Sequence, residues 1–413
     1  MTIPTKEARP SPYRWVVISM LWGLNVIEPI TLQSLGVMLP AITQDLSVTP
    51  SQAGLLGAAA WLGRALFSIP FSAWLSRYGP RRLVGGAILT AVVLVFLQGL
   101  SPAYGFLLAS RVALVVVLVA EVPARPLLIQ QWFPRREISL VNGIYSALNG
   151  TGVATAVVLT PFLLLALGGW RNTLYAYAVL FALGALLWIL LAREGRSEEY
   201  QSRYLAQKRT PLMAVMKYRE LWLLALGQLG GYIAWSARLT FYPTFMLAAY
   251  QMPITTSGFI LAMHQLGYIV GCFISGIVAE KVGYRRPLIY IPGILMPLFS
   301  FGLLVTSWVP LLAFFAVASG LIWLFNPIIH TIPYELPGIK PREVAVASAF
   351  VATAMMGGGS LGPLLAGVLY QGLGSLYTAL AITCIFPGLY FVTGMLIPET
   401  GRRAREATRV TSL

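Results

Sequence analysis

Residues 276–286 read GIVAEKVGYRR, and residues 72–82 read SAWLSRYGPRR. Each stretch separates two long apolar runs, and each ends in a glycine, one further residue and two arginines. The two glycines, Gly79 and Gly283, are 204 positions apart, and Pro40 and Pro243 are 203 positions apart. This constant spacing predicts that the chain contains an internal duplication, with one half repeating the other.

The composition indicates a membrane protein. Of the 413 residues, 57% are hydrophobic and 10% are charged, whereas a soluble domain carries about 25% charged residues. Apolar runs long enough to cross a bilayer as helices recur along the chain, without the two-residue alternation of a barrel strand. We therefore expect an all-α membrane protein with twelve transmembrane helices in two six-helix bundles. The expected spans are residues 15–40, 52–75, 83–101, 104–127, 139–167, 172–192, 220–248, 257–279, 287–306, 309–334, 343–370 and 374–397.

The basic residues predict the orientation, because cytoplasmic loops are enriched in Lys and Arg. With the N-terminus inside, 24 of the 29 Lys and Arg residues lie in inside segments, and one lies in an outside loop. Both termini are therefore expected in the cytoplasm, in a cell membrane that we expect to be a bacterial inner membrane. The net charge of +15 is explained by this face, so nucleic-acid binding is not expected.

The longest polar stretch divides the chain. It lies between the sixth and seventh expected spans and suggests three parts: an N-terminal bundle at 1–192, a cytoplasmic linker at 193–219 and a C-terminal bundle at 220–413. Cys272 and Cys384 both lie in apolar runs, where a cysteine behaves as a small hydrophobic residue. We expect a monomer without cofactor or metal, and no enzyme activity, since no nucleotide-binding loop or metal-binding pattern occurs.

The stretch 276–286 resembles the loop motif of the major facilitator superfamily, Gly-x-x-x-Asp-Arg-x-Gly-Arg-Arg, and 72–82 matches it more poorly. Residues 132–134 (WFP) and 398–401 (PETG) are also typical of that family. The resemblance implies alternating access around a cavity between two bundles. It also implies cytoplasmic latches in the two loops. Their expected gating residues are Arg77, Gly79, Glu280, Lys281 and Gly283.

Within that family, residues 121–123 (EVP) followed by WFP resemble the sialin and hexuronate branch of anion:cation symporters. In that branch, a glutamate of the fourth span takes part in proton coupling. The Asp-Arg pair of its first span has no counterpart here, because Thr31 and Leu32 occupy the corresponding positions. The resemblance implies a secondary active transporter of a small organic anion, a carboxylate or a sugar acid, by proton symport.

Ionisable residues inside the spans are the candidate site, because a charge in hydrocarbon is costly and is retained for function. Four arginines against two carboxylates leave two positive charges, which favours an anionic substrate, since arginine grips a carboxylate bidentately. The four arginines are Arg64, Arg111, Arg125 and Arg238. The expected substrate ligands are Arg64, Arg238, Trp235, Tyr242, Tyr268 and Asn326, and the expected proton carriers are Glu121, Glu28 and His264.

Structural roles stay open for several of these residues. Glu28 pairs with a neighbouring arginine in one interpretation, Arg111 is either functional or structural, and His264 is either a core histidine or a proton carrier. Two other functions also stay open. One is a proton-coupled exporter of drugs or metabolites, and the other is a membrane sensor or scaffold that does not transport.

Overall fold

The computed structural model describes residues 11–75, 78–133, 135–193, 213–336, 339 and 341–401. Within these ranges the chain forms twelve helical segments, named α1 to α12 here, and a single helical turn at Met213–Met216. The N-terminal half contains α1 (Arg14–Gln33 and Leu35–Leu46), α2 (Pro50–Leu75), α3 (Pro80–Gly99), α4 (Tyr104–Leu118 and Glu121–Trp132), α5 (Arg135–Ala166) and α6 (Trp170–Leu191). The C-terminal half contains α7 (Arg219–Tyr250), α8 (Ile254–Val282), α9 (Pro287–Gly302), α10 (Val309–Ile322 and Asn326–Glu335), α11 (Pro341–Leu373) and α12 (Leu376–Thr383 and Leu389–Leu396).

Four of the segments are broken helices. In α10 the two pieces are joined by the 3₁₀ turn Trp323–Phe325, and in α12 the turn is Phe386–Gly388. A proline lies within the first turn after the break in α4 and α10, and within the turn itself in α12. Proline lacks the N–H that would continue the helical hydrogen bonds. The α-helix is therefore interrupted at these points, in α10 and α12 by a tighter 3₁₀ turn.

Eight segments of the described chain are long and apolar enough to cross a membrane, and α9 and the first piece of α4 are shorter apolar helices. The remaining two, α2 and α7, have 26 and 32 residues, which exceeds the twenty or so needed to span a bilayer. The prediction of a twelve-helix membrane protein is thereby confirmed.

The two halves repeat an interaction at the helix ends. At the start of α5, Glu137 pairs with Arg14 at the start of α1, with 3.0 Å between carboxylate and guanidinium. At the start of α11, Glu343 lies 3.7 Å from the Lys217 ammonium and accepts a 2.7 Å hydrogen bond from the Tyr218 hydroxyl, just before α7. That hydrogen bond raises the pKa of Tyr218. In each half, a glutamate at the start of the fifth helix therefore contacts the start of the first helix, as expected for a duplication.

The halves contact each other mainly through α2 with α11, α5 with α8, and the second piece of α1 with α7. We call the end of the molecule where Arg14, Arg193 and Gly401 lie the termini face, and the other end the opposite face. The contacts between the halves come closest near the opposite face, where three glycines, Gly36, Gly54 and Gly258, form what we call the glycine seam. A methyl group added to each would collide, respectively, with the backbone oxygens of Leu239, Pro363 and Val157.

Toward the termini face the halves separate. The second pieces of α4 and α10, which end near that face, make their main contacts with helices of their own half. Among the described residues, the two halves therefore pack most closely near the opposite face.

Candidate functional site

An ion pair joins α1 to α2 in the N-terminal half. The Arg64 guanidinium contacts the Glu28 carboxylate, and the side chains are 24% and 6% exposed. Glu28 therefore follows the interpretation in which it pairs with an arginine. The arginine is the more exposed member of the pair.

A second acid and base lie beside this pair on α4. Glu121 accepts a 2.5 Å hydrogen bond from the Tyr145 hydroxyl of α5, and the Arg125 guanidinium lies 4.2 Å from the centre of the Tyr145 ring. Glu121, Arg125 and Tyr145 also act electrostatically on Arg64. We call Glu28, Arg64, Glu121, Arg125 and Tyr145 the charged cluster. Four helices supply it, so one ligand there would contact most of the N-terminal half.

Arg111 does not belong to the charged cluster. It is 1% exposed, and its guanidinium donates to the backbone oxygens of Leu32 at 2.6 Å and Leu56 at 3.1 Å. Those carbonyls lie on α1 and α2, so the side chain joins α4 to both helices. Of the two roles left open for Arg111, the structure favours the structural one.

Arg238, on α7, has different surroundings. Its guanidinium lies 3.1 Å from the Ser300 hydroxyl of α9 and 3.2 Å from His264 Nε2 of α8. His264 Nδ1 in turn lies 2.9 Å from the Ser319 hydroxyl, which donates to the backbone oxygen of Ala316. A proton on Nδ1, donated to Ser319, leaves Nε2 as the acceptor for Arg238. No described carboxylate lies within ion-pair distance of Arg238, so the structure holds a buried cation among neutral groups.

This placement differs from the expected one, in which Arg238 faces Arg64 across the cavity. The physical reason is that α8 and α9 offer an imidazole nitrogen and a hydroxyl as acceptors inside the C-terminal half. Tyr242, another expected ligand, is fully buried, and its hydroxyl has no hydrogen-bond partner among the described residues. His264 is committed to Arg238 and Ser319, as a core histidine would be.

Aromatic side chains from both halves meet midway along α2 and α7. The ring of Trp61 lies 5.5 Å from Trp235 and 6.1 Å from Tyr232, both in edge-to-face geometry. Tyr232 also lies 5.2 Å from Trp323 of α10. We call these four residues the aromatic layer. Trp61 precedes Arg64 by one helical turn, so the layer lies between the charged cluster and the glycine seam and forms the floor of the cavity.

The C-terminal wall of the cavity is polar but neutral. Asn326 accepts a 3.1 Å hydrogen bond from Gln228, which in turn accepts a 2.7 Å hydrogen bond from Tyr390. The ring of Tyr268 lies 6.4 Å from that of Trp323, three residues before Asn326, and Tyr232 links Trp323 to Trp235. The predicted ligands Tyr268, Asn326 and Trp235 therefore come together, on the other side of the cavity from the charged cluster.

The second loop motif is organised by an arginine that the sequence analysis did not select. Arg285 pairs with Glu335 at the end of α10 at 2.7 Å, and Glu399 accepts the backbone N–H groups of Arg285 at 2.6 Å and Arg286 at 3.1 Å. The hydrogen bonds that Arg285 donates to the Glu335 carboxylate raise the pKa of Arg285. This network joins three segments of the C-terminal half.

The expected gating residues take little part in that network. Glu280 and Lys281 are exposed, and within the described ranges neither shows a hydrogen bond or an ion pair. Gly283 ends α8 with a φ of 70°, a conformation that favours glycine, whereas Gly79 has a φ of −59°, which any residue adopts. Arg77 lies outside the described residues.

Three residues of the site were not found from the sequence: Trp61, Tyr145 and Tyr232. Trp61 lies one turn from Arg64 on α2, and this i, i+3 spacing is a signal that could have identified it. Tyr232 has the same i, i+3 relation to the predicted ligand Trp235 on α7. Tyr145 carries no comparable signal, because its neighbours in the site belong to other helices.

Comparison with known proteins agrees with this architecture. The family model described as Major Facilitator Superfamily matches residues 21–338 and, again, 224–412. The chain belongs to the Major Facilitator Superfamily. It is thus a multi-pass membrane protein of a transporter family, and not an enzyme.

Named relatives within the superfamily cover most of the chain. The nitrite extrusion protein of Bacillus subtilis (strain 168) is 23% identical, and the alignment covers 82% of this chain and 82% of that protein. The hexuronate transporter of Escherichia coli (strain K12) is 20% identical and covers 83% of this chain and 81% of its own. A solved structure of a bacterial homologue of the human lysosomal transporter Spinster, in an inward-facing and unoccupied conformation, has a TM-score of 0.77 at 18% identity. It covers 94% of this chain and 98% of that one.

Proposed function

We propose that this member of the superfamily carries a small organic anion across the membrane by alternating access, coupled to protons as a symporter. The charged cluster is the observation that carries this proposal. Two arginines and two carboxylates from α1, α2 and α4 meet there beside a cavity between the halves. The names of the relatives, which include nitrite and hexuronate, are consistent with an anionic substrate.

Arg64 is the proposed ligand of the anion, with Arg125 beside it. In the present state Glu28 neutralises Arg64, so an incoming anion competes with Glu28 for the guanidinium. A carboxylate that loses its partner in a water-poor cavity is stabilised by taking up a proton. Anion and proton binding are then linked in one equilibrium, and each favours the other. This linkage makes symport the natural direction of coupling.

Glu121 is the proposed main proton carrier, and Glu28 is the second candidate. The Glu121 carboxylate accepts a hydrogen bond from the Tyr145 hydroxyl. The guanidinium groups of Arg111 and Arg238, in contrast, are each fixed by two groups of neighbouring helices. The termini face is proposed to be cytoplasmic, because the Lys and Arg residues concentrate there. The state described here, with the halves packed most closely near the opposite face, is then the one open to the cytoplasm.

Uptake into proteoliposomes tests the coupling. A thermal-shift screen with sodium nitrate, galacturonate and benzoate selects the probe, since a ligand of the folded state raises its apparent stability. Acidifying the outside should drive accumulation of the probe in the wild type. Glu121→Gln should abolish accumulation and retain exchange of the probe across the membrane, while Glu28→Gln should weaken accumulation.

Glu220→Gln, which changes an acid of α7 outside the charged cluster, is the matched control and should accumulate the probe normally. Wild-type accumulation by both Glu121→Gln and Glu28→Gln would show that neither acid couples the proton. Absence of a thermal shift with every anion would contradict anion transport itself.

A further inference from the structure

The two walls of the cavity offer different chemistry to one ligand. The wall from the N-terminal half carries the charged cluster, whereas the opposing wall offers Tyr232, Trp235, Tyr268 and Asn326, all of them neutral. The cation of that half, Arg238, is committed to Ser300 and His264. A ligand between the walls therefore meets a cation at one end only.

The aromatic layer lies next to the cationic end. Trp61 is one turn from Arg64, and the rings of Trp61, Tyr232 and Trp235 are half-buried and contact each other between the two halves. Aromatic rings bind flat apolar groups by offset or edge-to-face contact. An anion held by Arg64 would place its remaining atoms against these rings, and an inorganic oxyanion has too few atoms to cover them.

The amide side chains near the site already have hydrogen-bond partners. Asn25 and Asn149 bond to each other at 3.2 Å, and Asn326 is engaged with Gln228 at 3.1 Å. A sugar acid held by Arg64 would place hydroxyls against the rings of Trp61 and Trp235, and each hydroxyl left unpaired there costs binding energy.

We infer that the preferred substrate is a monoanion with a flat apolar body, such as an aromatic monocarboxylate. Its carboxylate pairs with Arg64 in the N-terminal half, and its ring lies on the aromatic layer. This inference rests on the proposed function, because it names the substrate class of the same site. It also assigns Trp61, Tyr232 and Trp235 as residues that determine specificity.

Calorimetric titration of the purified full chain tests this substrate class. The probes are acetate, nitrate, galacturonate, benzoate, terephthalate and monomethyl terephthalate. Benzoate is expected to bind about tenfold more tightly than acetate, nitrate or galacturonate, since contact with a buried ring contributes roughly 1.4 kcal/mol, a factor of ten. Monomethyl terephthalate should bind more tightly than terephthalate, which has the same ring and a second charge.

Variants separate the ring from the charge. Trp61→Ala should weaken benzoate binding by about tenfold and leave acetate binding unchanged, because only the apolar contact is removed. Trp308→Ala, which removes a 64% exposed tryptophan, is the control and should change neither affinity. Trp235→Ala replaces Trp61→Ala if the latter fails to fold.

Three results decide between the inference and the proposed function. Nitrate, acetate or galacturonate binding as tightly as benzoate would overturn the substrate class and leave anion transport standing. Terephthalate binding as tightly as its monomethyl ester would overturn the monoanion requirement. If none of the six anions binds to the wild type, the proposed function fails, and this inference fails with it.

Discussion

Arg64 and Arg238 are both intramembrane arginines, and the two halves treat them differently. Arg64 pairs with Glu28 and its side chain is 24% exposed, and further charges of the N-terminal half interact with it electrostatically. Arg238 is 6% exposed and contacts a hydroxyl and an imidazole, with no described acid in reach. The sequence analysis expected both to bind the substrate, and only the packing of the helices around them distinguishes a candidate ligand from a buried internal cation.

The comparison extends to the equivalent positions of the repeat. Arg64 and Tyr268 are 204 positions apart, the spacing that also relates Gly79 to Gly283. One copy of the unit therefore places a charge where the other places a neutral hydroxyl. The two halves of the duplicated fold thus differ, because one offers charged side chains and the other offers neutral ones. A ligand with one charged end would bind with that end toward the N-terminal half.

The largest expected effect is on stability, from removing one arginine without its partner. Arg64→Met leaves the Glu28 carboxylate buried and unpaired, which costs about 3–5 kcal/mol. The double variant Arg64→Met with Glu28→Gln should recover most of that loss. Arg238→Met strands no carboxylate, so its unfolding temperature in detergent should equal or exceed that of the wild type. A larger loss for Arg238→Met than for Arg64→Met would reverse the comparison.

Anion affinity gives the next effect. In the double variant, which is expected to fold, the loss of Arg64 should weaken binding of the anion selected by thermal shift by about 2 kcal/mol or more, because a buried charge partner is removed. Arg238→Met should stay within about threefold of the wild type, since its contacts are internal; this difference is below 1 kcal/mol. Titration calorimetry measures both. Equal losses would show that Arg238 enters the cavity in another state of the cycle.

Two tyrosines sharpen the comparison. The Tyr145 hydroxyl donates to the Glu121 carboxylate, and a hydrogen bond to a charged group contributes about 1.5–3 kcal/mol. Tyr145→Phe should therefore reduce stability by an amount in that range and shift the pH profile of uptake. Tyr242→Phe is the matched control from the C-terminal half, where the hydroxyl has no described partner, and should be neutral or slightly stabilising. A pH profile that is unchanged in Tyr145→Phe would argue against Glu121 as a proton carrier.

The smallest effect is expected at the termini face. Glu399 accepts three backbone N–H groups, those of Arg285, Arg286 and Gly401, and Glu399→Ala leaves them without that acceptor, at a cost of about 1–2 kcal/mol. Glu280→Ala removes an exposed side chain and should change stability by less than about 0.5 kcal/mol. Thermal unfolding compares the two variants. A larger effect at Glu280 would support the latch expected from the loop motif.

Hydropathy and the spaced repeats were sufficient to predict the fold, because a bilayer forces each apolar run into a helix and the basic loops mark one face. The breaks in α4, α10 and α12 were not predicted. Each is associated with a proline, but other prolines, such as Pro29 and Pro161, lie inside continuous helices. Neighbouring helices decide which prolines interrupt the chain.

Most residues of the candidate site were predicted from the sequence, but the contacts between them were not. Periodicity places a side chain at a depth, and it does not specify which neighbouring helix that side chain meets. Glu28 and Arg64 are 36 positions apart and pair, whereas Arg238 meets Ser300, 62 positions away. Such contacts depend on how helices rotate against each other, which one sequence does not encode in any local pattern.

The glycine seam has a consequence for the energy stored across the membrane. Gly36, Gly54 and Gly258 bring two backbones together so closely that no atom can be added, and a water molecule needs a cavity of about 10–15 Å³ with polar partners. Protons leak through proteins along files of water or ionisable side chains, and the seam residues provide neither. If the chain is the proposed symporter, a carrier resting in this state would keep the electrochemical gradient intact, and the gradient would be consumed only when a substrate completes a cycle.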